Sequence, residues 1–216
     1  MSNERHYKAN LRDTLFNLFE FWRIQDDSLG QGPFANMDED TSREILSTFE
    51  KFCTEEMATS FIASDRIPLK LDDEGNVTLP EALRKSIETY YDNEWHRLEH
   101  PESLGGFGAP RSLMWSCFEF LAGANPPIAF YLLGNFEASV INELGTESQK
   151  ARFLDGLINK RWGGTMVLTE PDAGSDVGAG RTKAKHIEGE VWEIEGVKRF
   201  ITNGDYDATE NILHMV

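Results

Sequence analysis

The 216 residues carry 21 Lys and Arg against 37 Asp and Glu, a formal net charge of −16, with 40% hydrophobic and 27% charged residues. That is ordinary globular composition, enough to bury a core but short for two complete domains. An acidic chain without a basic cluster does not suit nucleic acid, where Lys and Arg must displace counterions from phosphate, and no apolar run approaches the roughly 20 residues of a bilayer span. The opening Met1, Ser2, Asn3 and Glu4 lacks the apolar stretch of a signal peptide. Cys53 and Cys117 each fall within a helical pattern and read as buried free thiols of a reducing compartment. A soluble, cytoplasmic protein is expected.

Up to about Lys160 the apolar residues recur at helical spacing. Leu11, Leu15, Leu18 and Trp22 form a first stripe; Leu46, Phe49, Cys53, Met57 and Phe61 form a second, opened by Asp40 or Thr41 as N-cap and closed before Pro68. Phe16, Phe19, Phe49 and Phe52 lie on these stripes and read as core. Leu83, Ile87, Tyr90 or Tyr91 and Leu98 make a third helix, with Thr78 as cap and Pro80 in its first turn. A Gly- and Pro-rich loop over 100–110 punctuates the chain. Leu113, Cys117, Phe120 and Leu121 start a fourth helix that ends at Asn125, Pro126 and Pro127. A fifth runs over 127–144 with Gly145 as its stop. Thr146, Glu147, Ser148 and Gln149 have capping-box spacing for a sixth, carrying Ala151, Leu154 and Leu157 or Ile158.

After Gly163 and Gly164 the period becomes strand-like. Strands are expected over 165–169, 182–187, 191–194 and 197–202, with turns at Glu188-Gly189 and Asn203-Gly204, and a last strand over 211–216 in which the chain stops. The expected fold class is α+β: an all-α helical bundle over 1–160 and, over 161–216, the opening strands of an unfinished β domain.

Two segments carry chemistry. In Met166-Val167-Leu168-Thr169-Glu170-Pro171-Asp172-Ala173-Gly174-Ser175-Asp176, a strand delivers a Thr hydroxyl, and Ala-Gly-Ser exposes successive backbone N–H groups able to cradle a phosphate. A dinucleotide fingerprint on Gly174, Gly178 and Gly180 is weaker, since a strand pattern follows where a helix is required. In Gly196-Val197-Lys198-Arg199-Phe200-Ile201-Thr202-Asn203-Gly204, a strand would put the Phe200 ring and the Thr202 hydroxyl on one face, a stacking surface with a polar group at its edge. Taken singly, the first reads as an ordinary turn and the second as a core Phe before a turn. Glu170, a carboxylate before Pro at a strand end, reads as structural. His96 and His100, four apart without a ligand companion, read as a solvated helix face.

Together, in content, order and spacing, the two motifs resemble the acyl-CoA dehydrogenase family. The stretch from Leu144 to Lys150 resembles the family's turn before its β domain, and that from Pro101 to Gly108 its Gly-rich loop. Tyr7 to Asp13 and the long stretch before that loop resemble the larger-subunit branch. The resemblance implies a helical domain, a barrel-like middle β domain cut short here, and a C-terminal four-helix domain, with FAD between the last two and across a subunit interface. By motif, Met166, Leu168, Thr169, Gly174 and Ser175 would line the flavin: Thr169 at its pyrimidine edge, Ser175 at the pyrophosphate or the acyl-CoA. Phe200 would stack on the isoalloxazine where many relatives have Trp, with Ile201 beside it and Thr202 near N5. The implied reaction is α,β-dehydrogenation of acyl-CoA, passing electrons to an electron-transfer flavoprotein in a homo-oligomer. The base is expected outside these 216 residues, which alone should not turn over. The competing reading is a non-catalytic flavin- or acyl-CoA-binding or assembly module on the same scaffold.

Overall fold

The computed structural model describes residues 6–216. The opening Met1, Ser2, Asn3 and Glu4, and with them the leader reading, lie outside the described residues. Asn10 caps α1 (Leu11–Leu15) by accepting the Asp13 N–H at 3.3 Å, and the helix runs on as a π-turn, Phe16–Phe21. Trp22 N–H reaches Asn17 O at 2.9 Å, five residues back. The widened turn breaks the expected stripe: Leu18 and Phe19 both turn inward, while Phe16 and Trp22 are left 43% and 67% exposed. A short α2 (Ile24–Asp27) follows.

Helix α3 (Glu39–Glu55) is capped by Asp38, whose carboxylate accepts the Thr41 N–H at 2.7 Å, so the cap falls before the expected Asp40 or Thr41. It buries Leu46, Phe49 and Cys53 and leads through a 3₁₀ turn (Met57–Ser60) into α4 (Phe61–Arg66), ending before Pro68. A two-residue hairpin, β1 (Lys70–Leu71) with β2 (Val77–Thr78), takes up Thr78. Pro80 therefore stands at the cap of α5 (Glu81–Asp92). Beyond the Gly-rich loop, α6 (Arg111–Ala124) stops at Asn125 as the prolines require.

The expected single helix over 127–144 is two: α7 (Pro126–Tyr131) and α8 (Leu133–Leu144), broken at Leu132. The break seats Gly134 against the Trp162 carbonyl, so closely that a Cβ at 134 would meet that oxygen at 2.1 Å. Thr146 and Gln149 form the capping box of α9 (Glu147–Ile158), which buries Leu154, Leu157 and Ile158 and leaves Ala151 exposed. Cys53 and Cys117 are buried free thiols. At the core's polar centre, the buried Asn125 amide donates to Ser60 Oγ at 2.8 Å and Met57 O at 3.2 Å, and Ser86 Oγ donates to Ser60 Oγ at 2.7 Å. These bonds tie the 3₁₀ turn before α4, helix α5 and the α6–α7 junction together.

The β segment is built from β3 (Gly163–Met166), the hairpin β4 (Lys183–Glu188) with β5 (Val191–Glu195), and β6 (Ile212–Met215). β3 and β6 run parallel with Thr165 opposite His214, and β3 packs on α8. β4 and β5 are antiparallel, with a bulge between His186 and Glu188 and both faces in solvent. The strand expected over 197–202 is absent. Phe200 and Asn203 hold φ of +58° and +60°, a left-handed geometry incompatible with a strand, and the chain turns there. Among the described residues no helix is long and apolar enough to cross a membrane.

Candidate functional site

Along β3 and its continuation the side chains alternate: Thr165 and Val167 are buried, Met166 and Leu168 face outward. Thr165 Oγ1 lies 2.6 Å from His214 Nδ1, and Val167 N–H donates to Met215 O at 2.7 Å, so β6 fixes the strand that carries the outward pair. A tight turn follows, with Glu170 and Ala173 exchanging backbone hydrogen bonds of 3.0 and 3.2 Å. It leaves Gly174 and Ser175 exposed, with open space where a Cβ on Gly174 would stand.

The Glu170 carboxylate accepts the Arg181 N–H at 2.6 Å and the Thr182 N–H at 3.0 Å, and pairs with Lys198 Nζ at 3.0 Å. These donors hold its carboxyl down to about 2. It is thus ionised and fully engaged, the structural part expected of it. Lys198 Nζ also donates to Leu168 O at 3.0 Å, and Arg199 N–H donates to Thr169 O at 2.9 Å. Two motifs some thirty residues apart (Leu168 to Lys198) are thereby stitched together.

Phe200 is 86% exposed, and its one ring contact among the described residues is with its neighbour Arg199, whose guanidinium lies 5.7 Å from the centroid. Thr202 is exposed and Ile201 half-buried. Both ring and hydroxyl are therefore outward, though on a turn rather than on one strand face. Gly178 sits in a 3₁₀ turn (Val177–Ala179), Gly180 directly follows it, and a strand comes next, so no helix N-terminus stands behind Gly174, Gly178 and Gly180. The residues present suit a flat heterocycle with an anionic tail in kind. Met166, Leu168 and Phe200 offer exposed apolar surface, and Gly174 leaves its backbone open to close approach.

The two histidines overturn the solvated-face expectation. Glu94, at φ +57°, turns the chain back inward, and the 3₁₀ turn Trp95–Arg97 carries His96 into the core against Tyr91, with ring centroids 4.9 Å apart. His100 lies beneath Gly106, where a Cβ would strike the His100 carbonyl. Burial, with the Arg97 charge, lowers both imidazoles to about 4, so both are neutral. Among the described residues no group of three or more His, Cys, Asp or Glu is placed to hold a metal.

Glu137 on α8 was not legible as special. It is buried, and its carboxyl lies against Gly164 and the Thr165 backbone. Burial pushes it up to about 8. The available signal was an acidic residue on the apolar stripe with Ala138 and Ile141, opposite two adjacent glycines.

The helical bundle hands its last helices to a parallel strand pair, and both motifs are joined at the strand's end. Residues 39–161 match the acyl-CoA dehydrogenase N-terminal domain and residues 165–214 the middle domain of the same family, and the chain belongs to that family. It is 43% identical to the broad-specificity linear acyl-CoA dehydrogenase FadE5 of Mycobacterium tuberculosis over 98% of this chain and 34% of that protein. It is 34% identical to 3-methylmercaptopropionyl-CoA dehydrogenase of Ruegeria pomeroyi, over 97% of this chain and 36% of that protein. Among solved structures, butyryl-CoA dehydrogenase from Megasphaera elsdenii superposes with a TM-score of 0.60 at 23% identity, over 80% of this chain and 43% of that one. The chain thus spans about a third of the length of these curated relatives.

Proposed function

We propose that these residues are the N-terminal portion of an FAD-dependent acyl-CoA dehydrogenase that converts acyl-CoA thioesters to 2-enoyl-CoA. The observation that carries the reading is the stitching of the two motifs: Arg199 N–H on Thr169 O and Lys198 Nζ on Leu168 O. It unites Met166, Leu168, Thr169, Gly174 and Ser175 with Phe200, Ile201 and Thr202 in a single region. Within it Met166, Leu168 and Phe200 would pack on the flavin ring, Thr169 and Thr202 would hydrogen-bond its edges, and Gly174 and Ser175 would meet the pyrophosphate or the acyl-CoA. Bound there, FAD supplies the acceptor for the hydride leaving Cβ. Abstraction of the α-proton needs a base within about 2.6–3.2 Å or through one water. Glu170 is held ionised by three donors and Glu137 is sealed under Gly164, so the base is assigned to residues outside this chain. A cytoplasmic homo-oligomer passing electrons to an electron-transfer flavoprotein belongs to the same reading.

The test is a chimera in which these 216 residues replace the matching third of the Mycobacterium tuberculosis relative. It should purify yellow with FAD and reduce an artificial acceptor on addition of a linear acyl-CoA, while the 216 residues alone give no steady turnover. A folded but colourless chimera that takes up no added FAD would overturn the reading.

A further inference from the structure

Past the Phe200 turn, alternate residues use polar side chains on main-chain groups of other elements. Asn203 donates its amide to the Phe130 carbonyl of α7. Asp205 accepts the Val77 N–H of β2 at 3.3 Å, and Asp207 accepts the Leu79 N–H at 2.9 Å. Thr209 Oγ1 accepts the Gly163 N–H at 3.2 Å. Among them Tyr206 is buried, its ring edge-on to Tyr131 with centroids 4.8 Å apart.

The two aspartates reach furthest. Each bond spans 128 residues, and two steps along the hairpin, 77 to 79, match two steps along the loop, 205 to 207. A single bond lets a loop swivel, whereas two in register also fix its direction. Both are charge-assisted, N–H to carboxylate, and so stronger than their neutral counterparts. Leu79 is buried and Pro80 behind it caps α5, which anchors that end of the hairpin in the core. The rest of the hairpin gives the core little: β1 and β2 meet through two residue pairs, and Lys70 and Leu71 are exposed. Such a short pair is marginal by itself. Arg84 of α5 stands 3.8 Å from Asp207, a partly exposed ion pair of small weight beside the N–H bond.

We infer that Asp205 and Asp207 are positioning residues that act through Phe200 and Thr202: by binding the β1–β2 hairpin they hold the turn that presents the ring and the hydroxyl at one fixed setting against the helical part. The hairpin thereby gains a use that its small share in the core does not explain. What the turn faces rests on the flavin reading, whereas how it is held does not, and each can fail alone.

Hydrogen exchange resolved to single amides, on the 216-residue chain without flavin, reads the holding. Asp207→Ala should speed exchange about tenfold, the worth of a charge-assisted hydrogen bond. The gain should appear not at Leu79 alone but also at Arg199 and Gly204, whose N–H groups bond Thr169 O and Ile201 O around the turn. Asp207→Asn, which keeps the acceptor oxygen, should stay within about threefold of the wild-type chain, with the α3 amides unmoved in both variants. Asp205→Ala, at the longer bond, should act in the same direction and decides if Asp207→Ala does not fold. Faster exchange at Leu79 with Arg199 and Gly204 unchanged would overturn the proposal, as would Asp207→Asn behaving like Asp207→Ala. In the chimera, Asp207→Ala should weaken FAD binding about tenfold and alter the visible circular dichroism of the bound flavin, and Asp207→Asn should restore both. A yellow chimera in which Asp207→Ala changes neither would overturn the positioning role. A chimera that takes up no FAD removes the flavin reading instead, and the exchange comparison then decides the holding.

Discussion

Phe200 is the residue whose environment says most about its use. An aromatic ring 86% exposed, on a left-handed turn, adds nothing to the core. Such a position is costly for a bulky residue and persists only where neighbours fix it. Here the fixing comes from Arg199 N–H on Thr169 O before it and from the Asn203 side-chain amide on the Phe130 carbonyl after it. In the chimera, Phe200→Ala should weaken FAD binding by about two- to tenfold, the worth of an aromatic contact of about 0.5–1.5 kcal/mol. Phe200→Trp should hold it. Fluorescence titration of FAD reads both, and equal affinity in the two variants would make the ring a bystander.

Among the elements, α9 owes its start to a reciprocal pair: Gln149 N–H donates to Thr146 Oγ1 at 3.2 Å, and Thr146 N–H donates to Gln149 Oε1 at 2.8 Å. Thr146→Ala removes the first bond and should cost about 1 kcal/mol, lowering the melting temperature by about 2–4 °C for a chain of this size. Thr146→Ser should restore most of it. That cap was readable because it is local: four consecutive residues contain the whole device. The helices of the core were readable for the same reason, through their 3.6-residue period. What escaped is what depends on distant partners. The bend at Leu132 answers the Trp162 carbonyl, thirty residues on, and the π-turn after Leu15 leaves no mark in the spacing of apolar residues. The strand expected over 197–202 had the right alternation, but Phe200 and Asn203 are held in a turn by contacts with Thr169 and Phe130. The site residues were legible as motifs, whereas the bonds joining those motifs were not.

For the whole molecule, stability follows pH through His96, His100 and Glu137, with Glu99, raised by burial, adding to the alkaline decline and Glu170, held low by its donors, adding to the acid one. His96 and His100, lowered from 6.5 to about 4, stay neutral in the fold while the unfolded chain takes up protons, so stability falls as pH drops below 6.5. Glu137, raised from 4.5 to about 8, keeps its proton in the fold while the unfolded chain loses it, so stability falls as pH rises from 4.5 to 8. The melting temperature should therefore fall on both sides, toward acid as the unfolded histidines take up protons and toward alkali as the unfolded glutamates lose theirs. Glu137→Gln should flatten the decline between 6.5 and 8 and steepen the acid limb above 4.5, where Glu137 opposes the histidines; an unchanged alkaline limb in a melting series would remove Glu137 from this role. The parallel pairing of β3 with β6 also has a consequence in time. Residues 167–211 must be gathered into a loop before Gly163 can reach its partner Ile212, an entropic toll that purely local contacts do not meet. During synthesis the helices are complete and docked while β6 is still unmade. For that interval α8 offers β3 a seat, through Gly134 and Glu137 against Gly164. Assembly is therefore ordered, helices first and the strand pair last. Pulse-labelled hydrogen exchange should show the α3 and α6 amides protected well before those of Thr165 and Val167.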